Sequence, residues 1–266
     1  MNGESRYLSF SGLRVHFQVS RPEGTVKNRM LLLASPLINC FHWRKLVPEL
    51  LDLGCLCVLA DLPGFGQSDP RAPQTNTQRA NMLWGVLDEV DAELASPLSM
   101  WHLAGHGLSC GTVLRMGTLF PDSVKTQIHI APTFTFKTRD PGGWYDANIP
   151  DERRFQRLIE RWAGYPLDDY VVDRMRAPLL RRGAKDAFER LLKYTVTPPK
   201  HGMGFCPTMA LMGGRDPLWD ETCKQDARAL LPDAERHNIR SAGHFPMETH
   251  SRALRDYLRG WLKYND

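Results

Sequence analysis

The segment Gly105-His106-Gly107-Leu108-Ser109 joins a short apolar run to a helical pattern. It looks like G-x-S-x-G with the small Ser109 in place of the last glycine, a sharp strand-to-helix turn that lifts its central residue clear of a sheet, so that a Ser, Cys or Asp side chain there attacks an electrophile. The central residue here is Gly107. Glycine has nothing to lift, so no covalent intermediate can form at this position. Three other loops carry polar residues between apolar runs: Asp61-Leu62-Pro63-Gly64-Phe65-Gly66-Gln67-Ser68-Asp69, Gly213-Gly214-Arg215-Asp216, and Ser241-Ala242-Gly243-His244-Phe245.

These loops need a scaffold that brings them to one place. Short apolar runs alternate with helical patterns through most of the chain, the signature of a mainly parallel sheet with helices on both faces. The pattern predicts eight strands, at 7–10, 15–19, 30–34, 55–60, 100–104, 126–130, 208–212 and 234–239, the first two forming an antiparallel hairpin at the edge. Helices are predicted over 43–53, 77–94, 108–120, 221–231 and 246–262, and Pro121 stops the third because proline cannot continue the ladder. Between 135 and 205 no strand is predicted, and helical spacing recurs at 151–163, 168–176 and 179–194, with Phe155, Leu158, Ile159 and Trp162 on one stripe. This region reads as a helical lid, with Gly142-Gly143 and Pro198-Pro199 as its punctuation. The expected organisation is a core of residues 1–134 and 206–266 with a lid of residues 135–205.

The 266 residues are 42% hydrophobic and 24% charged, enough for one sizeable core, and the formal net charge of +4 is spread along the chain rather than clustered. No nucleic-acid or membrane-surface patch follows from that distribution. The first residues carry an acidic side chain and no apolar stretch of the secretory kind, so a cytoplasmic location is expected. Six scattered cysteines without a C-x-x-C pair read as buried thiols, with neither disulfide nor zinc expected. The oligomeric state stays open.

The order and spacing of the four loops resemble the α/β-hydrolase superfamily over nearly the whole chain. The resemblance implies the α/β-hydrolase fold, with a mostly parallel eight-stranded sheet. It also places Asp216 at the family's acid position and His244 at its general-base position, and the chemistry agrees: an aspartate on one imidazole nitrogen fixes the tautomer and leaves the other free to take a proton. Two positions depart from the family pattern. Gly107 stands where the nucleophile belongs, and Ala34-Ser35-Pro36 stands where the family has His-Gly-x, whose last residue donates a backbone N–H to the oxyanion hole. Pro36 has no N–H to donate. Losing one such donor costs roughly 10² to 10³ in turnover and losing a triad nucleophile on the order of 10⁶, so a site lacking both is not an ordinary esterase.

Ser35, Pro36, Leu37, Asn39, His106 and Leu108 are placed by the resemblance on the pocket or oxyanion loop, with Trp144 and Tyr145 as lid contacts. Ser35 is the foremost substitute hydroxyl, ahead of Cys40, Ser109 and Cys110. Asp61 and Ser68 read as structural, and Arg153, Arg154 and Arg157 as a solvated helix face rather than an anion site. Three functions remain. The first is a cofactor-independent enzyme in which His244 and Asp216 act as a base on a small organic substrate, the missing side chain at 107 leaving room beside the base. Lyase, cyclase, carbon-carbon cleavage and direct hydrolysis all fit it, and the superfamily's hydroxynitrile lyases and cofactor-independent oxygenases resemble it. The second is a non-catalytic ligand-binding pseudo-hydrolase. The third is a conventional esterase, dehalogenase or epoxide hydrolase whose residue 107 was substituted. No metal or organic cofactor is expected.

Overall fold

The computed structural model describes residues 3–71, 75–94, 100–136, 138–193 and 206–265. Eight strands form one sheet in the order β1-β2-β4-β3-β5-β6-β7-β8. They are β1 (Glu4–Phe10), β2 (Leu13–Ser20), β3 (Asn28–Leu33), β4 (Cys55–Ala60), β5 (Trp101–His106), β6 (Val124–Ile130), β7 (Thr208–Gly213) and β8 (Glu235–Ile239). β1 and β2 form the expected antiparallel hairpin and β2 joins β4 antiparallel, while every other pair is parallel. β3, β4 and β5 are buried along their whole length, as strands covered by helices on both faces must be.

The helices are α1 (Val47–Asp52), α2 (Asn76–Ala92), α3 (Cys110–Leu119), α4 (Pro141–Asn148), α5 (Glu152–Ala163), α6 (Asp169–Leu179), α7 (Ala184–Lys193), α8 (Glu221–Leu230), α9 (Pro246–Thr249) and α10 (Ser251–Tyr264). The predicted helix at 43–53 begins late. Cys40–Trp43 is a tight 3-10 turn, and α1 starts at Val47 because Pro48 sits in its first turn, where its missing N–H costs nothing. The predicted helix at 246–262 is broken at His250, which leaves helical geometry (φ −136°, ψ 38°). No described helix is long and apolar enough to cross a membrane.

Helices α4 to α7 fill the stretch between β6 and β7. α4 was not predicted, since Gly142-Gly143 read as punctuation. The two glycines instead lie in its first turn, with Pro141 starting the helix and the Asp140 side chain capping the Gly143 N–H at 2.9 Å. α6 runs beyond its predicted end through Pro178. A proline there leaves the carbonyl four residues back without its helical donor. That carbonyl, on Arg174, instead accepts the Asn39 amide at 2.7 Å, tying α6 to the loop after β3. Pro198 and Pro199 lie outside the described residues.

Candidate active site

Parallel strands deliver the chemistry-bearing residues to one edge. Ser35 follows β3, Gly107 follows β5, Asp216 follows β7 and His244 follows β8, all beyond the carboxyl ends of their strands, where open α/β sheets bind ligands.

His244 Nδ1 lies 2.8 Å from Asp216 Oδ2, and both side chains are buried. The other Asp216 oxygen accepts the Leu218 N–H at 2.8 Å, which locks the carboxylate. An ionised carboxylate requires the proton on Nδ1, so Nε2 presents a lone pair. Nε2 has no hydrogen-bond partner among the described residues and is turned to Gly107. A methyl group built on Gly107 would lie 3.3 Å from His244 Nε2, 3.3 Å from Ser35 Cβ and 3.5 Å from Ser35 Oγ. The room expected beside the base is therefore narrow, because Ser35 and His244 have closed in on it. Gly107 itself has φ +56°, the left-handed conformation that such a turn demands of its central residue.

The backbone around His244 is clamped twice. Its N–H donates to the Trp162 carbonyl at 2.7 Å, and its carbonyl accepts from His106 Nε2 at 2.7 Å. His106 is fully buried, its ring centroid 4.8 Å from that of His244. Burial above all, and the neighbouring imidazole next, hold its pKa well below the usual histidine value, so it stays neutral and acts as a donor. The Trp162 ring meets the His244 ring edge-on at 6.1 Å. Gly243 makes this approach possible, because a Cβ there would lie 2.3 Å from the Trp162 oxygen and 2.4 Å from the Ala163 oxygen. Gly243→Ala is accordingly expected to cost about 3 kcal/mol, the overpacking range, in urea unfolding. A loss below about 0.5 kcal/mol, the scale of a neutral surface change, would mean that the end of α5 retreats freely.

The remaining residues named from the sequence divide into two groups. Ser35 and Pro36 form a turn closed by the Ile38 N–H on the Ser35 carbonyl at 3.0 Å, with proline in the position that presets its φ. Leu108 packs against the core beside Gly107, and Leu37 is buried in it. Asn39 is spent on structure: it caps the turn at 40–43 and holds α6. Tyr145 is held within the helical segment, its hydroxyl donating to the Leu179 carbonyl. Trp144 instead stacks on Trp162 at 6.2 Å and lines a cleft of about 320 Å³. Trp162, Phe136, Thr133, Leu218 and Arg161 also line that cleft. It borders the dyad through Trp162 and Leu218. Arg153, Arg154 and Arg157 lie on the exposed face of α5, whereas Arg161, which the helical pattern did not single out, reaches the cleft.

Asp61 anchors a second histidine. Its Oδ1 accepts the Cys40 N–H at 2.8 Å, and its Oδ2 accepts the Gln67 N–H at 2.7 Å and lies 2.8 Å from His16 Nδ1. Ser68 Oγ accepts the His16 N–H at 3.0 Å. His16, Cys40 and Asp61 present ligand atoms within 4.8 Å of one another, a spacing that a metal would accept. The carboxylate lone pairs are already committed to the turn, and burial holds the Cys40 thiol protonated by pushing its pKa well up. The cluster works as a strut between β2 and the loop after β4. All six cysteines are free thiols.

With this geometry in place, the chain can be set beside known proteins. A model of the alpha/beta hydrolase family matches residues 37–257. The chain belongs to that family. It is 24% identical over 234 residues to a 2-hydroxy-6-oxononadienedioate/2-hydroxy-6-oxononatrienedioate hydrolase of Cupriavidus pinatubonensis, covering 80% of this chain and 78% of that one. Among solved structures it is similar to a probable hydrolytic enzyme of Pseudomonas aeruginosa (TM-score 0.76, 16% identity, 97% of this chain and 93% of that one). It is also similar to a carboxylesterase of Bacillus subtilis (TM-score 0.76, 19% identity, 98% and 92%). The last two likenesses establish the fold of this alpha/beta hydrolase.

Proposed function

We propose that this alpha/beta hydrolase is a cofactor-independent enzyme in which His244, oriented by Asp216, acts as general base on a small organic substrate or its attacking water, with no covalent intermediate at position 107. The observation that carries this reading is the buried 2.8 Å pair His244–Asp216 whose free nitrogen faces a residue without a side chain. A proton passes to Nε2 while Asp216 stabilises the imidazolium: taken from the substrate, it leaves a negative charge that drives elimination or bond cleavage, and taken from water, it leaves a hydroxide that adds to the substrate. Helices α4 to α7 form the lid of this site, and the aromatic-walled cleft beside Trp162 admits a small molecule. The relative named for hydrolysis of 2-hydroxy-6-oxononadienedioate supports hydrolysis among the possible outcomes.

A substrate-independent probe tests the reading. Nitrobenzisoxazole releases a coloured phenolate when a base removes its ring C–H proton, and the wild-type protein is expected to exceed free imidazole at equal concentration. A rate no higher than imidazole would remove the base role. The conventional-hydrolase alternative is tested by Gly107→Ser. A side chain at 107 would begin only 3.3 Å from both His244 Nε2 and Ser35 Cβ, so this variant is expected to hydrolyse para-nitrophenyl acetate no more than about tenfold faster than wild type, far short of the order of 10⁶ that a triad nucleophile contributes. A gain well above 10³ would instead identify position 107 as a displaced nucleophile site.

A further inference from the structure

We infer that the Ser35 hydroxyl is a catalytic hydrogen-bond donor, taking the place of the backbone donor that Pro36 cannot supply and holding the substrate oxygen on which charge develops as His244 removes a proton. The inference rests on the dyad reading above and adds a residue to it.

Three observations converge on Ser35. First, its Oγ lies 3.5 Å, and His244 Nε2 3.3 Å, from the single point where a side chain at Gly107 would begin. Two polar atoms of opposite character, a donor hydroxyl and a basic nitrogen, therefore face the same small space. Second, neither atom has a hydrogen-bond partner among the described residues, although both side chains are buried, with Ser35 4% exposed. Neither atom is among the fully buried unpaired ones, so both keep some solvent access and can be reached by a ligand. Third, everything around the hydroxyl is fixed. The Ala34 N–H donates to the Ala60 carbonyl at 3.0 Å, the Ala34 carbonyl accepts Ser109 Oγ at 2.6 Å, and the Ser35 carbonyl accepts the Ile38 N–H at 3.0 Å. Pro36 then fixes its own φ directly after Ser35. The loop has exchanged a backbone donor for a side-chain donor on a rigid turn, and a preorganised donor aimed at developing charge is what such a site requires.

The step balances without a co-reactant. The proton leaves the substrate for His244 Nε2, and its bonding pair moves into the substrate. The negative charge comes to rest on a substrate oxygen that accepts the Ser35 O–H. The substrate class is thus a small molecule that carries an oxygen able to take up charge next to the bond that breaks. Nitrobenzisoxazole has this form: its ring C–H is lost, its N–O bond breaks and the pair ends on the phenolate oxygen.

Turnover of nitrobenzisoxazole by wild type, Ser35→Ala, Ser35→Cys and His244→Ala is the test, each protein being checked for a native unfolding midpoint. Ser35→Ala is expected to lose on the order of 10²-fold in kcat with the pH midpoint unchanged, because the base is intact and only charge stabilisation is lost. Ser35→Cys, a weaker donor of similar shape, is expected between the two. If Ser35→Ala turns over as fast as wild type while His244→Ala is inactive, the Ser35 inference falls and the dyad reading stands. If His244→Ala keeps full rate, the dyad reading falls and takes this inference with it. Exposure to a fluorophosphonate followed by peptide mass measurement gives a second readout: no adduct on Ser35 is expected, and a His244-dependent adduct there would overturn the donor role in favour of a nucleophile.

Discussion

Replacing His244 by alanine is expected to lower base-catalysed turnover by about 10³-fold, the middle of the range that a positioned general base contributes. The substitution is a clean one because the backbone of residue 244 is held independently of its imidazole. Its N–H is fixed to the Trp162 carbonyl and its carbonyl to His106, at 2.7 Å each, and both bonds survive in the alanine variant. The lost activity would then report the base and not a displaced loop. Asp216→Asn separates orientation from basicity. An asparagine amide presents an N–H or a carbonyl to Nδ1, loses the charge that stabilises the imidazolium, and still leaves the Leu218 N–H an oxygen to bond. With that oxygen on the Leu218 N–H, the amide N–H faces Nδ1 and favours the tautomer whose proton sits on Nε2, so a fall comparable to that of His244→Ala, on the order of 10³-fold, is expected. Full turnover in both variants would take the dyad out of the mechanism.

The sheet was readable from the chain because fully covered parallel strands advertise themselves. Cys55–Ala60 is an uninterrupted apolar run, and its predicted bounds and observed bounds coincide. The loops carrying Asp216 and His244 stand at the carboxyl ends of such strands, so the order of the motifs placed them at one edge. What the chain did not disclose depends on contacts between distant segments. The tie from Asn39 to the Arg174 carbonyl joins residues 135 positions apart and arises from Pro178, the penultimate residue of α6. Trp162 read as part of a hydrophobic stripe, which it is, yet its carbonyl and ring also meet His244 because Gly243 lets the end of α5 come close. Ser35 was identifiable as a loop hydroxyl. Its convergence with His244 on the empty side of Gly107 is a property of three loops in space, and no periodicity encodes it.

Acid is expected to destabilise the fold well before its carboxylates are protonated, by about 4 kcal/mol between pH 7 and pH 5. Three fully buried histidines are responsible. Burial lowers the pKa of His42 to about 4 and that of His129 to about 3, and together with His244 it holds His106 well below the ordinary value. Each is thus neutral in the folded protein, whereas in the unfolded chain it takes up a proton near the ordinary histidine pKa of about 6.5. Below that value the unfolded state binds more protons, so the stability is fully present above about pH 6.5 and falls as the pH drops toward the folded pKa of each group. By pH 5 a shift of this size is worth about 2 kcal/mol per histidine, so His42 and His129 alone supply the expected loss. For a domain of this size that corresponds to a fall of roughly 10 °C in Tm. His129 permits a sharper test, since neither of its ring nitrogens has a hydrogen-bond partner among the described residues and its pKa is lowered by burial alone. His129→Met removes two unsatisfied buried nitrogens, so it should be no less stable than wild type at pH 8. At pH 5 it should exceed wild type by about a further 2 kcal/mol, because the histidine no longer favours the unfolded chain. A Tm difference between the two proteins that stays constant from pH 8 to pH 5 would show that His129 titrates alike in both states, and that the acid sensitivity of the fold lies elsewhere.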